Sequence, residues 1–462
     1  MLVRFSVGNF LSFNETQTFS MIANRGQRFK ERLFESDDMS LLKFSAIYGA
    51  NASGKTNIVK AMEFARTCVV RRVTDEASFS YYRLDPSKKK APSYFEFEML
   101  INGALYSYGF EIILSEAAVT EEWLIRLDKL QDQILFTRNT HNGQFSFDTS
   151  LFATDQQKQR FEIYLNDIRK AQNTLFLREI ITNKEAVYED NEQALIFKRS
   201  YRWIDGLEIS FPSTSISGYS CFTSTSAKEI EKAIKTFATG ISEIKIEQVS
   251  QDKALKDAPE KFKREINRLL FEFMKKPNAT NPPFEETPII RIRGAGKLFL
   301  VSLKKNTPIF QEITFHHHKM QEARFSLGEE SEGTQRLLDL LIILLAKKEH
   351  SVFVIDEFDR SLHPQLTLHF IKNFLELAKE RNVQLIITTH ESHLLDLSVL
   401  RQDEIWFVEK KESGQTHLIA FDRYKERFDK QIERAYLDGR YAGVPLFDHF
   451  FFPDTLKDKE QM

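Results

Sequence analysis

A nine-residue stretch near the amino terminus has the residue types of a phosphate-binding loop. Residues 48–56 read Tyr-Gly-Ala-Asn-Ala-Ser-Gly-Lys-Thr, which fits the pattern G-x-x-x-x-G-K-[ST]. The glycines let backbone N–H groups curl around a phosphate, and a helix N-terminus after them adds partial positive charge. Lys55 can reach the β- and γ-phosphates of ATP, and the Thr56 hydroxyl can ligate Mg²⁺. The residues predicted to bind ATP here are Gly49, Asn51, Ala52, Ser53, Gly54, Lys55, Thr56 and Asn57.

Two adjacent acids close an apolar run in the second half of the chain. Residues 351–357 read Ser-Val-Phe-Val-Ile-Asp-Glu and predict a buried strand that ends at Asp356 and Glu357. In phosphate-loop enzymes an acid at this position holds Mg²⁺, so Thr56 and Asp356 are the predicted metal ligands. Glu357 is placed to orient or deprotonate the attacking water, and it is a predicted catalytic residue. The alternative interpretation is a pair of exposed acids at a strand end.

Two further elements could contact the γ-phosphate. His390 follows an apolar run at 383–388, where its imidazole could hydrogen-bond the phosphate, although a lone histidine could also be structural. Ser331 and Gly333 lie in a Ser-Glu-Gly-Thr-Gln turn before a strongly apolar helix. A small-residue turn at a helix N-terminus can bind an anion, and its alternative is a simple helix cap. His390 therefore joins the predicted catalytic residues, and Ser331 and Gly333 join the predicted ATP ligands.

These residues require particular elements to position them. Residues 44–48 predict a buried strand before the phosphate loop, and 57–68 carry apolar residues at helical spacing after it. A helix predicted at about 364–380 connects the strand with the two acids to the next strand, and such a βαβ unit implies parallel strands. Strands predicted at 2–5 and 16–22 are expected to extend the nucleotide-binding sheet at its edge.

The sequence between the two halves of the site differs in character. Strand-like runs separated by tight turns predict an antiparallel β-rich subdomain over residues 94–147. Polar sequence with sparse apolar residues then predicts a helical insertion, with a Ser/Thr-rich loop at 210–226 and a linker at 277–283. Three further strands, predicted at 288–293, 297–303 and 309–315, return to the core. We therefore divide the chain into an amino-terminal half of the site with the β subdomain (1–150), a mainly helical insertion (151–284) and a carboxy-terminal half (285–462).

The composition is that of an ordinary globular protein. The 462 residues are 42% hydrophobic and 28% charged, and a net charge of −2 gives no global indication of nucleic-acid binding. The two cysteines, Cys68 and Cys221, form no C-x-x-C pair and predict no zinc site. Because no apolar run approaches the ~20 residues of a membrane span and no signal peptide is seen, we expect a cytoplasmic protein without membrane contact.

Two weaker patterns have alternative interpretations. The triplet at 316–318, three histidines, could hold a metal, but alternate residues of a strand face opposite sides. Short basic runs at 71–72, 88–90 and 275–276 are typical of a solvated surface, and a nucleic-acid contact through them is the alternative.

The motifs occur in the order of an ABC-type ATPase head. After the phosphate loop come the Ser331-x-Gly333 turn, the Asp356-Glu357 pair, the Ser361-Leu362-His363-Pro364 segment and Thr389-His390. The set resembles the branch that holds the SMC and RecF-like proteins, and it looks like the bacterial RloA-like ATPases and the ATPase part of OLD-family nucleases. Residues 7–13 and 439–445 also look like that family. The resemblance implies an α/β fold: a P-loop ATPase head with a β-rich subdomain and a helical insertion, using ATP and Mg²⁺.

The resemblance also implies an assembly. In such heads two subunits hold two ATP molecules between them, and the signature turn of one subunit contacts the γ-phosphate held by the other. Ser331 and Gly333 would therefore act in trans. Glu329, Glu330 and Glu332 stand where transporter-type heads have small residues. Carboxylates near a γ-phosphate would repel it unless they point away or meet basic partners.

The function implied by the resemblance is an ATP-driven switch in bacterial anti-phage defence. A homodimer or higher homo-oligomer would close on ATP, reopen on hydrolysis, and control a separate effector such as a nuclease or toxin. Two alternatives remain open. A RecF-like ATPase in DNA repair would bind DNA through a basic groove, and its binding would weaken steeply with salt. An ATP-binding scaffold with little turnover would show no measurable phosphate release.

Overall fold

The computed structural model describes most of the chain. The described residues are 1–26, 28–182, 184, 187–188, 191–212, 227–256, 260, 263–264, 267–268, 270–271, 289–294, 296–304, 307–317, 323–346, 349–424, 432–437 and 441. Predicted features outside these ranges are the linker at 277–283, the basic run at 275–276, Cys221, His318, residues 439–440 and 442–445, and all but the start of the loop at 210–226.

A six-stranded sheet is built from both halves of the chain. Its strands are β5 (Phe44–Gly49), β11 (Leu207–Ser210), β16 (Val352–Ile355), β17 (Gln384–Thr388), β18 (Ile405–Lys410) and β19 (Thr416–Ala420). They lie in the order β11-β16-β17-β5-β18-β19. Neighbours from β11 to β18 pair in parallel, whereas β19 pairs antiparallel with β18. The segments that follow the parallel strands therefore meet at the carboxyl ends of these strands, where α/β proteins bind ligands. We call this side of the sheet its ligand-binding edge, to distinguish it from the outer strands β11 and β19.

The described helices lie on both faces of this sheet and on other parts of the molecule. They are α1 (Lys55–Val70), α2 (Asp155–Ile168), α3 (Phe176–Ile181), α4 (Leu195–Asp205), α5 (Ala227–Lys235), α6 (Gln251–Leu255), α7 (Glu332–Leu345), α8 (Pro364–Leu377) and α9 (Ile432–Leu437). The predicted helix after the phosphate loop is confirmed as α1, and the predicted βαβ unit is confirmed as β16, α8 and β17. Within the described ranges, no helix combines the length and the apolar content that crossing a membrane would require.

Alternation along the central strands divides the core into two clusters. Val352 and Val354 of β16 face a cluster that contains α1, whereas Phe353 and Ile355 face a cluster that contains α7 and α8. All four side chains are buried. Strands buried on both faces read as continuous apolar runs, which is why the sequence shows β16 so clearly. The predicted α/β fold class is confirmed.

A seven-stranded antiparallel sheet holds the β-rich subdomain. Its strands are β1 (Leu2–Gly8), β2 (Gln17–Ser20), β6 (Ser93–Ile101), β7 (Ala104–Ile113), β8 (Ala118–Leu127), β9 (Gln133–Asn139) and β10 (Gln144–Phe147), in the order β10-β9-β8-β7-β6-β1-β2. The prediction that the first two strands extend the nucleotide-binding sheet is wrong. β1 pairs with β6, and the Phe5 and Phe97 rings pack with their centroids 4.8 Å apart. The edges of the six-stranded sheet are instead occupied by β11 and β19.

The strands predicted around residue 300 form a sheet of their own. It contains β12 (Glu243–Val249), β13 (Ile289–Gly294), β14 (Lys297–Lys304) and β15 (Thr307–His316), in the order β12-β15-β14-β13. The three predicted strands are confirmed, and Leu298, Leu300 and Ile313 pack in the same cluster as α7. Sequence reasoning missed β12, although isoleucines alternate with charged residues along it. A short pair, β3 (Phe34–Glu35) with β4 (Ser40–Leu41), completes the described strands.

The predicted helical insertion contributes more than helices. Helices α2 to α6 lie within residues 151–284, as expected. β11 also lies there, and it pairs in parallel with β16 as an edge strand of the six-stranded sheet. Its four residues are too few to show a periodicity, so the sequence could not reveal it. The boundaries at 150 and 284 remain predictions.

Candidate nucleotide-binding site

The phosphate loop connects β5 to α1 at the ligand-binding edge of the sheet. Gly54 has a φ of 115°, which side chains rarely tolerate. A Cβ atom on Gly54 would also collide with Thr416 Oγ1, and one on Gly49 would lie 2.7 Å from the Val408 carbonyl oxygen. Both glycines are therefore required by the fold as well as by the predicted chemistry. Of the other predicted loop ligands, Asn51 and Ala52 are exposed at the tip, whereas Ser53 is buried.

The Lys55 ammonium is folded back over the loop. Nζ donates to the carbonyl oxygens of Gly49 at 2.6 Å and Ala50 at 3.0 Å, and the residue is 6% exposed. Burial lowers the pKa of Lys55 to about 8, opposed by the nearby carboxylates, of which Asp356 has the largest effect. The ammonium is thus mostly charged at neutral pH but incompletely compensated. A phosphate in the loop would supply that compensation.

Thr56 and Asp356 come together from opposite halves of the chain. Thr56 Oγ1 donates to Asp356 Oδ1 at 3.3 Å, and Thr388 Oγ1 donates to the same oxygen at 2.6 Å. Asp356 is 1% exposed. A buried carboxylate beside a hydroxyl is a donor set that fits Mg²⁺, which commonly takes one or two carboxylates and completes its shell with phosphate oxygens and water. Thr388 was not singled out from the sequence, although it stands at the end of the predicted strand.

Glu357 is held by the same threonine. Its backbone N–H donates to Thr388 Oγ1 at 2.8 Å, and its φ of 45° turns the chain sharply after β16. The half-buried Glu357 side chain lines a cleft of about 630 Å³ together with Thr56, Asp356 and Arg360. The predicted catalytic carboxylate therefore lies beside the predicted metal ligands with space in front of it.

His390 is presented at the same edge by β17. Its backbone N–H donates to Asp359 Oδ1 at 3.3 Å. Although much of its surface is open to solvent, packing around the ring lowers the pKa of the imidazole, and the charge of Lys55 lowers it further. The three nearby acids oppose these effects. His390 thus lies within electrostatic reach of Lys55, as a neutral ring at pH 7 that can donate one hydrogen bond.

A hydroxyl network braces the loop from outside the predicted motif. Thr416 Oγ1 lies 2.7 Å from both the Ser53 carbonyl oxygen and Ser12 Oγ. Asn57 Nδ2 donates to Ser12 Oγ at 2.7 Å. Asn57 therefore supports the loop through Ser12 in this structure. No sequence signal distinguishes Thr416, because its contacts depend on the pairing of β18 with β19.

The carboxy-terminal helix α9 packs on the start of the loop. The Tyr436 hydroxyl accepts a hydrogen bond from the Gly49 backbone N–H. The Tyr436 ring stacks on Phe407, with centroids 5.6 Å apart. Ser392 Oγ, two residues after His390, donates to the Glu433 carboxylate at 3.2 Å. One short helix thus contacts both the loop and the segment that carries His390.

Ser331 and Gly333 begin α7 on another part of the surface. Ser331 Oγ caps the helix by accepting from the Thr334 backbone N–H at 3.1 Å. A Cβ atom on Gly333 would lie 2.7 Å from the Ser361 carbonyl oxygen. Among the described residues, the hydrogen bonds of Ser331 stay within its own turn. The turn is therefore packed against the segment after Asp356, and its predicted role as an ATP ligand remains a prediction.

The three glutamates of this turn all have partners. Glu329 accepts from the Ser326 backbone N–H and hydroxyl, both at 2.7 Å, and these bonds lower the pKa of Glu329. The buried Glu330 carboxylate lies 2.8 Å from His317 Nε2. Glu332 accepts from Ser361 Oγ at 3.3 Å. These contacts fix the positions of the three carboxylates. Serine donors leave Glu329 and Glu332 charged, so among the described contacts only Glu330 meets a side chain, the His317 imidazole, that can carry positive charge.

A family model matches residues 44–396, and its description reads "AAA domain, putative AbiEii toxin, Type IV TA system". The chain belongs to this family. The match spans the phosphate loop, the two acids and His390, and it covers more than half of the sequence. The chain therefore carries an AAA domain with a P-loop, and ATP is the predicted nucleotide. A search of curated proteins found no match.

Solved SMC head structures resemble the chain weakly. A SmcHead bound to the C-winged helix domain of ScpA has 12% identity and a TM-score of 0.41, with 90% of this chain and 96% of that chain covered. The SMC head domain from Thermotoga maritima has 14% identity and a TM-score of 0.35, with coverage of 91% and 98%. The Pyrococcus furiosus Smc head with an extended coiled coil, bound to the C-terminal domain of ScpA, has 13% identity and a TM-score of 0.39, with coverage of 90% and 95%. TM-scores this low decide nothing further about this chain.

Proposed function

We propose that the protein hydrolyses ATP and acts as an ATP-driven dimeric switch. The observation that carries this proposal is the hydrogen bond between Thr56 and Asp356, which are 300 positions apart and meet beside a phosphate loop. A purely structural pair of acids would not need a buried carboxylate aligned with the loop threonine. The adjoining Glu357 has the position and the open space that activation of a water requires.

In this proposal each residue has a separate task. Backbone N–H groups of the loop and the N-terminus of α1 hold the phosphates, and Lys55 leaves the Gly49 carbonyl to contact them. Thr56 and Asp356 would hold Mg²⁺, which would supply positive charge to balance that of the β- and γ-phosphates. Glu357 accepts a proton from the attacking water, and His390 donates a hydrogen bond to the γ-phosphate.

A second copy of the chain would complete the site. Ser331 caps α7, a 14-residue helix whose N-terminus can attract an anion. Glu329 and Glu330 are held by Ser326 and His317, so their carboxylates have partners outside the first turn of this helix. These features support a trans contact between Ser331 and Gly333 of one subunit and the γ-phosphate held by the other. The assembly would be a homodimer or a higher homo-oligomer.

The biological setting we propose is bacterial anti-phage defence in the cytoplasm. The family description names a toxin and a type IV toxin–antitoxin system, and the sequence resembles RloA-like ATPases and the ATPase part of OLD-family nucleases. The resemblance to RloA-like ATPases and to the ATPase part of OLD-family nucleases supports control of an effector, a nuclease or a toxin, by closure of the ATPase dimer.

The test begins with purified protein and two substitutions. Lys55→Ala should abolish ATP binding or turnover, whereas Glu357→Gln should retain binding, hydrolyse far more slowly and accumulate as the dimer with ATP. Matched controls are Lys372→Ala and Glu380→Gln, which change exposed residues on and just beyond α8. Turnover by Glu357→Gln at the unmutated rate would disprove the assignment of the catalytic carboxylate.

The effector is tested separately. Glu357→Gln protein is purified by affinity from its native host with ATP present, with and without nuclease treatment, and the bound material is identified by mass spectrometry. A stoichiometric protein that survives nuclease treatment supports the switch. Recovery of DNA alone, lost at high salt, would contradict it and favour a DNA-repair ATPase.

A further inference from the structure

A row of polar side chains crosses the seven-stranded sheet away from the phosphate loop. Tyr106 on β7 lies directly opposite Arg126 on β8, and Arg126 lies directly opposite Gln133 on β9. Directly opposed residues of antiparallel strands share one face of the sheet. Strand register therefore places a phenol, a guanidinium and an amide side by side.

Helix α4 brings a second guanidinium to the same row. Ile196 and Arg199 are three positions apart on α4, so they share a face of the helix. Together with the row on the sheet they line a pocket of about 320 Å³. Burial raises the pKa of the Tyr106 hydroxyl, while the charges of Arg126 and Arg199 act in the opposite direction. Both cations therefore lie close to a hydroxyl that stays protonated at neutral pH.

Among the described residues, the two guanidinium groups of this pocket have no close carboxylate partner. Arg126 is exposed, and within the described part of the chain its side chain forms no ion pair and donates no hydrogen bond. Arg199 has Glu192 at 3.9 Å, the outer limit of an ion pair, and the Glu192 side chain is 87% exposed. Such an exposed pair contributes little. A second acid, Asp148, is held at the edge of the pocket, where its Oδ2 accepts from Gln133 Nε2 at 2.6 Å. Because neither guanidinium has a close ion pair of its own, both can contact an anion that enters the pocket.

We propose that the pocket between α4 and the row on β7, β8 and β9 binds a small phosphorylated molecule. Arg126 and Arg199 are the charged anchors, because a guanidinium fork matches the oxygen geometry of phosphate bidentately. The Tyr106 hydroxyl supplies a neutral hydrogen bond, and the Gln133 amide, which donates one N–H to Asp148 Oδ2, can supply another. Ile196 and Leu135 form the apolar wall against which the rest of the ligand packs.

The size of the pocket favours a small ligand. A volume of about 320 Å³ lies at the lower end of the range of small-molecule sites. A nucleic acid would instead require phosphate contacts spread along a surface. None of the residues that line this pocket lines the cleft beside Thr56, so the two sites are distinct.

The experiment uses the full chain with the Lys55→Ala substitution, so that binding at the phosphate loop is weakened. Inorganic pyrophosphate is titrated by isothermal calorimetry into this protein and into the same protein carrying Arg126→Ala, Arg199→Ala or Lys129→Ala. Lys129 follows β8, is exposed, and pairs with Asp38 outside the pocket, so its removal controls for net charge. Circular dichroism and thermal melts confirm that each variant folds.

We expect saturable binding that Lys129→Ala leaves unchanged. Each arginine substitution should weaken it roughly 10- to 100-fold, the usual effect of losing charge-assisted hydrogen bonds. Equal affinity in the arginine variants and in Lys129→Ala would overturn the proposal. Tighter binding of citrate than of pyrophosphate would overturn the phosphate assignment. Binding of a single-stranded oligonucleotide, lost in the same variants, without any binding of pyrophosphate would overturn the small-ligand assignment.

Discussion

Replacement of Thr388 by valine should remove the hydroxyl that connects Asp356, the proposed magnesium ligand, to Glu357, the proposed water-activating residue. The shape of the side chain changes little. The Thr388 hydroxyl donates to Asp356 Oδ1 at 2.6 Å and accepts from the Glu357 backbone N–H at 2.8 Å. A hydrogen bond to a charged group contributes about 1.5–3 kcal/mol, and an orphaned buried N–H costs about 1–3 kcal/mol. We therefore expect Thr388→Val to lower the free energy of unfolding by roughly 2.5–6 kcal/mol.

The assay is urea unfolding of nucleotide-free protein, followed by circular dichroism, in parallel with steady-state phosphate release. Thr388→Ser keeps the hydroxyl and is the matched control, which should retain most of the stability and turnover. Thr388→Val should lose turnover more strongly than ATP affinity, because the Glu357 backbone loses its anchor while the phosphate loop is unchanged. If the valine and serine variants unfold at the same urea concentration and hydrolyse ATP equally, the hydroxyl does not connect the two acids.

Three further predictions concern the loop and its supports. Gly54→Ala should abolish ATP binding measured by calorimetry, because the residue has a φ of 115° and the new Cβ atom would collide with the Thr416 hydroxyl. Gly103→Ala is the control, since Gly103 has a φ of 79° and no atom lies within 4 Å of the new Cβ. It should lower the free energy of unfolding in urea by only about 1 kcal/mol and leave ATP binding intact. Burial lowers the pKa of Lys55 from 10.5 to about 8, so nucleotide-free protein should gain stability as pH rises from about 8 to 10.5. Its ATP affinity should fall above pH 8, because the ammonium is lost. An ATP affinity that stays constant to pH 10, or that falls equally in Lys55→Arg, would contradict this prediction. Tyr436→Phe should raise the KM for ATP roughly 3- to 10-fold with kcat little changed, since one hydrogen bond to Gly49 is lost. Leu437→Ala, which truncates an exposed neighbour on α9, should change neither KM nor kcat. Equal KM values in the two variants would exclude Tyr436 as a positioning residue.

Local sequence was sufficient for the parts of the site whose contacts are local. The phosphate loop needs two glycines, a lysine and a threonine within eight positions, and the backbone angle at Gly54 shows why a glycine must stand there. β16 is recognisable in the sequence as an apolar run because both of its faces are buried. The end of that run then places Asp356 and Glu357 at the sheet edge without any knowledge of the rest of the fold.

Partner choice between strands was beyond the sequence. β1 and β2 look like strands from their residues, but only the register with β6 shows that they belong to the antiparallel sheet. β11 has four residues and no detectable period, yet it forms an edge of the nucleotide-binding sheet. Apolar alternation specifies that a strand has a buried face, and it does not specify which neighbouring backbone satisfies its hydrogen bonds.

The sequence by itself predicts which residues bind phosphate and magnesium, because those residue types and their spacing are set by the chemistry of the ligand. Only the tertiary structure decided what holds them in place. Thr416 meets Ser12 across 404 positions, and Thr388 meets Asp356 across 32. Single hydroxyl groups of this kind have no period and no motif, since their partners are fixed by sheet order and loop packing. The hydrogen bonds that hold the site in place therefore depend on the fold, whereas the residue types that suit its proposed chemistry can be recognised in the sequence.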